Sequence, residues 1–104
     1  MVNKSLLNER FIDFGCRIGR NWDFNNKRLI LTLVEYIHHN DREHFYNFLS
    51  SKAYDINVNI PRDITNLIWN ASNKDFIIVA SLIVSGIHSA VLERKGRRDF
   101  YDYM

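Results

Sequence analysis

The chain has 104 residues, of which 46% are hydrophobic, 25% are charged and 13% are aromatic. This composition is typical of a globular domain and excludes a disordered, collagen-like or low-complexity chain. Cys16 is the single cysteine, which excludes an internal disulfide and a multi-cysteine zinc site. The length allows one domain, which we place at residues 1–96, followed by a basic and aromatic tail at 97–104. No apolar run typical of a signal peptide opens the sequence, so a cytoplasmic location is expected.

The net charge is only +2, but the charges are unevenly distributed. Residues 1–28 carry six Lys or Arg against three acidic residues, and residues 29–75 carry four against six. Residues 76–104 carry four against three, with all four basic residues at 94–98. Two basic ends and an acidic middle suit a protein with a polyanion on one side and protein neighbours on another. The same pattern also suits a solvated surface with no partner.

Five helices are predicted from apolar residues that recur three and four positions apart. They cover residues 4–21, 27–39, 42–52, a short stretch opened by Pro61, and residues 74–95. We expect an all-α fold, a compact five-helix bundle whose long C-terminal helix lies at the centre. The second helix is apolar on most of its surface, so it too is expected to lie centrally.

Residues 54–60 alternate apolar and polar side chains, which is the period of a strand. No second strand is available to pair with them, and an isolated strand is unstable. We therefore interpret the segment as an extended loop that tucks Ile56, Val58 and Ile60 into the core.

Short polar residues and glycine mark the expected helix ends. Asn40 is expected to end the second helix, and Asp41 to cap the third. Asn73 is expected to cap the fifth helix, and Gly96 to stop it.

Gly15 and Gly19 lie four residues apart in the first predicted helix. Each costs about 1 kcal/mol relative to alanine in a helix interior. Because residues four apart share a helix face, the pair leaves a flat strip at which another helix can approach closely.

Residues 76–92 form an uncharged run of seventeen residues, followed by the basic cluster at 94–98. A membrane-spanning helix needs about 20 mostly apolar residues, and flanking positive charge fits its cytoplasmic side. Three serines, a glycine and His88 dilute the apolar character of the run. A helix that is apolar all round also suits the middle of a bundle, so we expect no membrane contact. His88 is then expected to be a hydrogen-bonded core histidine.

No pattern of side chains predicts an active site. His38, His39 and His44 lie close in sequence, but no metal-ligand pattern is completed around them. Cys16 is interpreted as a small packed residue. The sequence contains no glycine-rich phosphate loop and no set of acid, base and nucleophile. We therefore expect a protein that is not an enzyme and uses no metal or cofactor.

Arginine and lysine side chains are the remaining candidates for chemistry. Guanidinium groups suit phosphate because they donate two parallel hydrogen bonds. No base-reading motif such as a helix-turn-helix is recognisable, so binding is expected at the backbone and not at the bases. The candidate nucleic-acid-binding residues are Arg10, Arg17, Arg20, Lys27, Arg28, Arg94, Lys95, Arg97 and Arg98.

Three stretches together resemble a known family. Residues 11–19 resemble a helix with a Gly-x-x-Ile/Leu-Gly pattern, and residues 40–49 resemble an Asp-x-x-x-Phe-x-x-x-Leu helix, followed at 60–62 by an Ile-Pro helix start. Residues 75–86 resemble a long last helix with the pattern Phe-x-x-x-Ala-x-x-x-x-x-Gly. In this order they are similar to the small subunit of type I CRISPR surveillance complexes (Cascade), and to the C-terminal helical domain of their large subunit.

This resemblance implies a non-catalytic subunit present in several copies, which pack against one another and against the large and backbone subunits. The basic faces would steady the heteroduplex of guide RNA and target DNA, and the displaced DNA strand, through phosphate contacts. Base pairing would supply the choice of sequence. The acidic middle of the chain would face a protein neighbour.

Two other functions stay open on the residues alone. A small helical adaptor or inhibitor would bind only protein and make no contact with nucleic acid. It would use Tyr36, Tyr46, Trp69 and Phe100 as exposed interface anchors. A small dimeric DNA-binding regulator would need a recognition helix, which the sequence does not identify.

Overall fold

The computed structural model describes the backbone of residues 4–21 and 27–102, and the side chains of residues 9–21 and 28–93. Over those residues the chain forms helices and no strand. The helices are α1 (Lys4–Asn21), α2 (Lys27–His38), α3 (Arg42–Asp55), α4 (Arg62–Asn70) and α5 (Asn73–Asp102). The expected all-α bundle with a long C-terminal helix is confirmed.

The core is built from one apolar stripe of each helix, and α5 supplies the largest share. Each fully buried Phe, Leu or Ile contributes about 1.5–3 kcal/mol relative to an exposed position. Helix α5 packs against α1, α2 and α4, as expected for the central element. The buried residues of α5 are Phe76, Val79, Ala80, Ile83, Val84, Ile87, Ala90 and Val91.

The closest helix contact joins α1 to α5 through three glycines. A Cβ added at Gly15 would overlap the carbonyl oxygen of Ile83, and one added at Gly19 would lie 2.8 Å from the Cβ of Ala90. The flat strip expected from the glycine spacing is therefore occupied by α5. Residue numbers rise together across this contact, so α1 and α5 run in the same direction.

Two helices end on an asparagine with left-handed backbone. Asn40 has φ 55° and Asn57 has φ 62°. At the residue that follows Asn40, the Asp41 N–H donates to the Tyr36 carbonyl at 2.8 Å. The Val58 N–H donates to the Ala53 carbonyl at 2.8 Å in the same way. This is the Schellman pattern of helix termination, in which asparagine replaces the usual glycine at modest cost.

Helix α3 continues to Asp55, three residues beyond its expected end at residue 52. The hydrogen bonds of its last turn stabilise this extension, and the segment that follows is shorter than expected. Ile56, Val58 and Ile60 are half-buried and pack against the core, as the sequence predicts.

Both expected ends of α5 differ from the structure. The Ser72 hydroxyl accepts from the Asp75 N–H at 3.1 Å, so the cap lies one residue before Asn73. The helix continues past Gly96 to Asp102, since a glycine weakens a helix but ends it only when it turns left-handed. Residues 97–102 of the expected tail are thus helical. The last two residues lie outside the described part of the chain.

Helix α2 lies at the surface, not at the centre as expected. Leu33 and Ile37 are buried, but Leu31 is 63% exposed and Val34 is 45% exposed. Only one stripe of α2 meets the core because α5 already fills the middle. Helix α2 therefore presents an apolar face to solvent.

Candidate nucleic-acid interface

The helix directions bring the C-terminal ends of α1 and α5 to one end of the bundle. Gly19 packs on Ile87, and both helices continue from there in the same direction. Helix α2 begins nearby, because the five residues between Asn21 and Lys27 span no more than about 20 Å. The C-terminal end of α2 leads to Arg42, which donates to Asn73 at the start of α5. Helix α2 therefore runs antiparallel to α5.

This end of the bundle, which we call the basic end, is formed by the described parts of two stretches of the sequence, residues 17–28 and 91–98. These two stretches contain eight of the fourteen Lys and Arg residues and two acidic residues, for a formal charge of +6. The rest of the chain carries −4, since the total is +2. Eight of the nine candidate residues lie here. The sequence predicts each of them, but only the parallel packing of α1 on α5 brings them together.

The side chains of the basic end are described in part. Arg17 and Arg28 are exposed and have no ion-pair partner among the described side chains. Arg20 is exposed and takes part in an interaction within the chain. The side chains of Lys27 and of residues 94–98 lie outside the described ones.

Arg10 is the candidate residue that lies apart from the others. Its guanidinium donates to Asp63 Oδ1 at 2.6 Å, with the two side chains 49% and 54% exposed. This hydrogen bond holds the pKa of the Asp63 carboxyl below its ordinary value. The pair joins α1 to α4 and neutralises the charge of Arg10.

The surroundings of Arg10 also oppose an anion. A groove of about 470 Å³ between α1 and α4 is lined by Glu9, Asp13 and Arg17 besides Arg10. Asp63 adds a third carboxylate beside Arg10. Three carboxylates therefore lie near the guanidinium of Arg10, which disfavours phosphate binding at this arginine.

Arg42 has a role that sequence reasoning missed. From the first turn of α3 it donates to the carbonyls of Ile68, Trp69 and Ala71 at 3.1, 3.1 and 2.8 Å. It also donates to Asn73 Oδ1 at 2.9 Å, and its guanidinium lies 5.2 Å from the ring centre of Phe76. The cation thereby satisfies the C-terminal carbonyls of α4 and complements its dipole. No local pattern marks this arginine, since its partners lie 26 to 31 residues away.

The histidines are surface residues. His38, His39 and His44 are exposed, as expected. His88 is exposed too, which corrects the expectation of a core histidine, because it lines an open groove between α5 and α2. The described part of the chain contains no group of three His, Cys, Asp or Glu side chains that could hold a metal ion.

The expected cap of α3 is present. Asp41 Oδ1 accepts from the His44 N–H at 3.2 Å, and Oδ2 lies 2.7 Å from His44 Nδ1. These two hydrogen bonds hold the pKa of Asp41 below its ordinary value. The ring of His44 also stacks on Tyr36, with centres 5.5 Å apart.

Of the three aromatic anchors expected for an adaptor whose side chains the structure describes, one is exposed. Trp69 is 40% exposed, whereas Tyr36 and Tyr46 are half-buried and pack on the core. The Phe100 side chain lies outside the described ones. Cys16 is half-buried on α1.

A second groove, of about 480 Å³, lies between α2 and α5. Most of its lining is apolar, with serine and histidine on the α5 side. Its lining residues include Ile30, Leu31, Val34, Ser81, Ser85 and His88. Sequence reasoning missed this surface because it assigned the whole of α2 to the core.

One helix within the described residues could cross a membrane by length and composition alone. It is the stretch Asn73–Glu93 of α5, and half of its most apolar segment is buried inside the fold. The core helix of a bundle has this same composition.

No family model, no curated protein and no solved structure matches the chain.

Proposed function

We propose that this protein is a non-catalytic nucleic-acid-binding subunit that holds phosphate groups at its basic end. In its most specific form, the proposal is the small subunit of a type I CRISPR Cascade complex in the cytoplasm. There it would pack between the large and backbone subunits. It would contact the backbone of the guide–target heteroduplex or of the displaced DNA strand.

The observation that carries the proposal is the convergence of α1, α2 and α5 at the basic end. A formal charge of +6 in two short stretches, against −4 elsewhere, gives the molecule a strong charge asymmetry. Such asymmetry attracts and orients a polyanion. Arg17 supports the proposal further, because it is exposed and has no ion-pair partner among the described side chains.

Binding at this end would read the backbone and not the sequence. Arginine donates in parallel pairs to phosphate oxygens, which are the same at every nucleotide. In a surveillance complex the guide RNA reads the sequence by base pairing, so an accessory subunit needs only phosphate contacts. Arg10, which is paired with Asp63, is left out of the proposed site.

The test measures binding of fluorescent single-stranded and duplex DNA at several salt concentrations. The wild type is expected to bind both with little sequence preference. Each phosphate neutralised adds about 0.7–0.9 to the slope of log affinity against log salt. The double variant Arg17→Glu, Arg94→Glu is expected to lower the affinity at least tenfold and to reduce that slope by about 1.5.

Lys74→Glu is the matched control, because Lys74 is an exposed cation in the first turn of α5, at the opposite end of that helix from residues 91–98. It should leave the affinity within about twofold of the wild type. Unchanged binding by a double variant that folds normally would remove the basic end as the site.

The Cascade assignment needs a separate experiment. The tagged protein is purified from its native host at low salt, and the bound proteins and RNA are identified. Large and backbone subunits with one uniform class of short guide RNA would support the assignment. Recovery of a protein partner without nucleic acid would contradict it.

A helical adaptor or inhibitor is the second candidate, and the α2–α5 groove favours it. Its apolar lining suits a protein partner better than a phosphate backbone. This function predicts no salt-dependent association with nucleic acid. The DNA titration described above therefore separates the two candidates.

A further inference from the structure

We infer that the exposed face of α2 is the contact surface of a homodimer, in which two α2 helices pack antiparallel about a twofold axis. The inference rests on the side chains of α2 and on the groove beside it. It does not depend on nucleic-acid binding.

The centre of this face is apolar. Leu31 is 63% exposed and Val34 is 45% exposed, although both are large aliphatic side chains. They border the groove of about 480 Å³, whose opposite wall is formed by Ser81 and Ser85 of α5. A side chain from another molecule can enter this groove, and its burial supplies the hydrophobic free energy of association.

The spacing on α2 is that of a helix–helix seam. Leu31, Val34 and His38 follow one another at intervals of three and four, which keeps them on one line along the helix. All three are exposed. Helices that carry such a line pack against each other side by side.

Charged residues at the edge of the seam decide the partner and its direction. Arg28 and Glu35 lie seven residues apart, so they flank the same edge of the seam. Both are exposed and neither has an ion-pair partner among the described side chains. Along the helix, the face thus carries a positive group before Leu31 and a negative group after it.

An antiparallel second copy satisfies this arrangement twice. Leu31 then lies opposite Val34 of the second copy, and Arg28 lies opposite Glu35 of the second copy. The twofold axis repeats each contact. A parallel copy would instead place the edge that carries Arg28 and Glu35 against the other edge of the second helix, where Ile30 and Ile37 offer no complementary charge.

The same charges disfavour a lipid surface as the occupant. Helices that lie on membranes have polar faces rich in Lys and Arg that attract anionic headgroups. Here Glu35 opposes such headgroups, and the serines of α5 dilute the apolar surface. Self-complementarity therefore favours a second copy.

The first test is the mass in solution, measured by light scattering and sedimentation without nucleic acid. The wild type is expected to reach twice the 12.4 kDa of one chain as its concentration rises. Leu31→Asp is expected to stay monomeric with an unchanged helical circular dichroism spectrum. Leu67→Asp on α4 is the matched control and should still dimerise. A wild type that stays monomeric to about 1 mM, the weak end of specific association, overturns the inference.

A charge exchange tests the antiparallel pairing. Glu35→Arg and Arg28→Glu should each weaken dimerisation about tenfold or more, since each replaces two attractive pairs by two repulsive ones. The double exchange Arg28→Glu, Glu35→Arg should restore it. Glu43→Arg makes the same charge change on α3 and should have little effect. A double exchange as weak as the single variants overturns the antiparallel arrangement.

Discussion

Gly15 and Gly86 face each other across the contact between α1 and α5. A Cβ added at Gly15 would lie 3.0 Å from the Cα of Gly86, within the distance that real Cβ contacts avoid. The backbones therefore approach as closely as they do only because both residues lack a side chain. This contact fixes the register in which α1 runs parallel to α5, and with it the position of the basic end.

Substitution of either glycine by alanine should destabilise the fold. Gly86→Ala would set a methyl group against the carbonyl oxygen of Ile12 and 2.9 Å from the backbone nitrogen of Cys16. Backbone atoms cannot move aside as a side chain can, so we expect a loss of about 3 kcal/mol or more in the free energy of unfolding. Urea unfolding followed by circular dichroism measures it.

Ser85→Ala is the control for this substitution. Ser85 is exposed and adjacent to Gly86 on α5, so the change tests the helix without the contact. Alanine has the higher helix propensity, and stability should stay within about 0.5 kcal/mol of the wild type. Equal stability of Gly86→Ala and Ser85→Ala would show that the α1–α5 contact is looser than described.

Arg42→Met should be strongly destabilising. Methionine keeps an apolar stem beside Phe76 but removes four hydrogen bonds from one guanidinium. The C-terminal carbonyls of α4 lose their charged donor, which should cost about 2–4 kcal/mol. Thermal unfolding would measure it. Arg62→Met, an exposed arginine that makes none of these bonds, should change stability by less than about 0.5 kcal/mol; a similar loss there would refute the role of Arg42.

Acid should weaken the cap of α3 through Asp41. Hydrogen bonds from the His44 side chain and backbone lower the pKa of Asp41 below its ordinary value. The unfolded chain therefore binds the proton more readily than the folded chain. The contribution of ionised Asp41 to the free energy of unfolding is present above the pKa that Asp41 has in the unfolded chain. It is lost as the pH falls from about 5 through the lower pKa that Asp41 has in the folded chain.

Asp41→Asn separates this titration from capping, since asparagine caps a helix as well as aspartate does. The variant should lose less stability than the wild type between about pH 5 and pH 2. Denaturant unfolding across that range measures the difference. Asp63, whose pKa is lowered by Arg10, titrates with the same sign, so Asp63→Asn is a second comparison. Identical pH dependence of Asp41→Asn and wild type would contradict the proposed cap energetics.

The left-handed backbone at Asn57 predicts opposite effects for two small substitutions. Asn57→Gly should keep or raise stability, because glycine adopts φ 62° without steric cost. Asn57→Ala should lower the free energy of unfolding by about 1 kcal/mol, because a left-handed backbone is strained at alanine and alanine lacks the local hydrogen bonds that asparagine makes. Asn59→Ala, two residues on and exposed, is the control. Thermal unfolding of the three variants gives the order directly, and an alanine as stable as the glycine at position 57 would contradict it.

Local sequence patterns predict the five helices and most of their ends. Apolar periodicity placed all five, because the helical period follows from backbone geometry and a one-sided core. Asn40 and Asp41 marked the end of α2 and the start of α3 through local hydrogen bonds. The spacing of Gly15 and Gly19 indicates a surface for close helix contact, which α5 occupies.

Which side chains contact one another across the bundle depends on how the helices pack. The pairing of Arg10 with Asp63 and the bonds from Arg42 to the end of α4 join residues far apart in sequence. Their partners depend on how the helices pack, which no local pattern encodes. The exposure of Leu31 and Val34 likewise follows from the position of α5, which fills the centre and leaves α2 at the surface. The basic end arises in the same way, since charges spread along the chain meet only where α1 and α5 run in parallel.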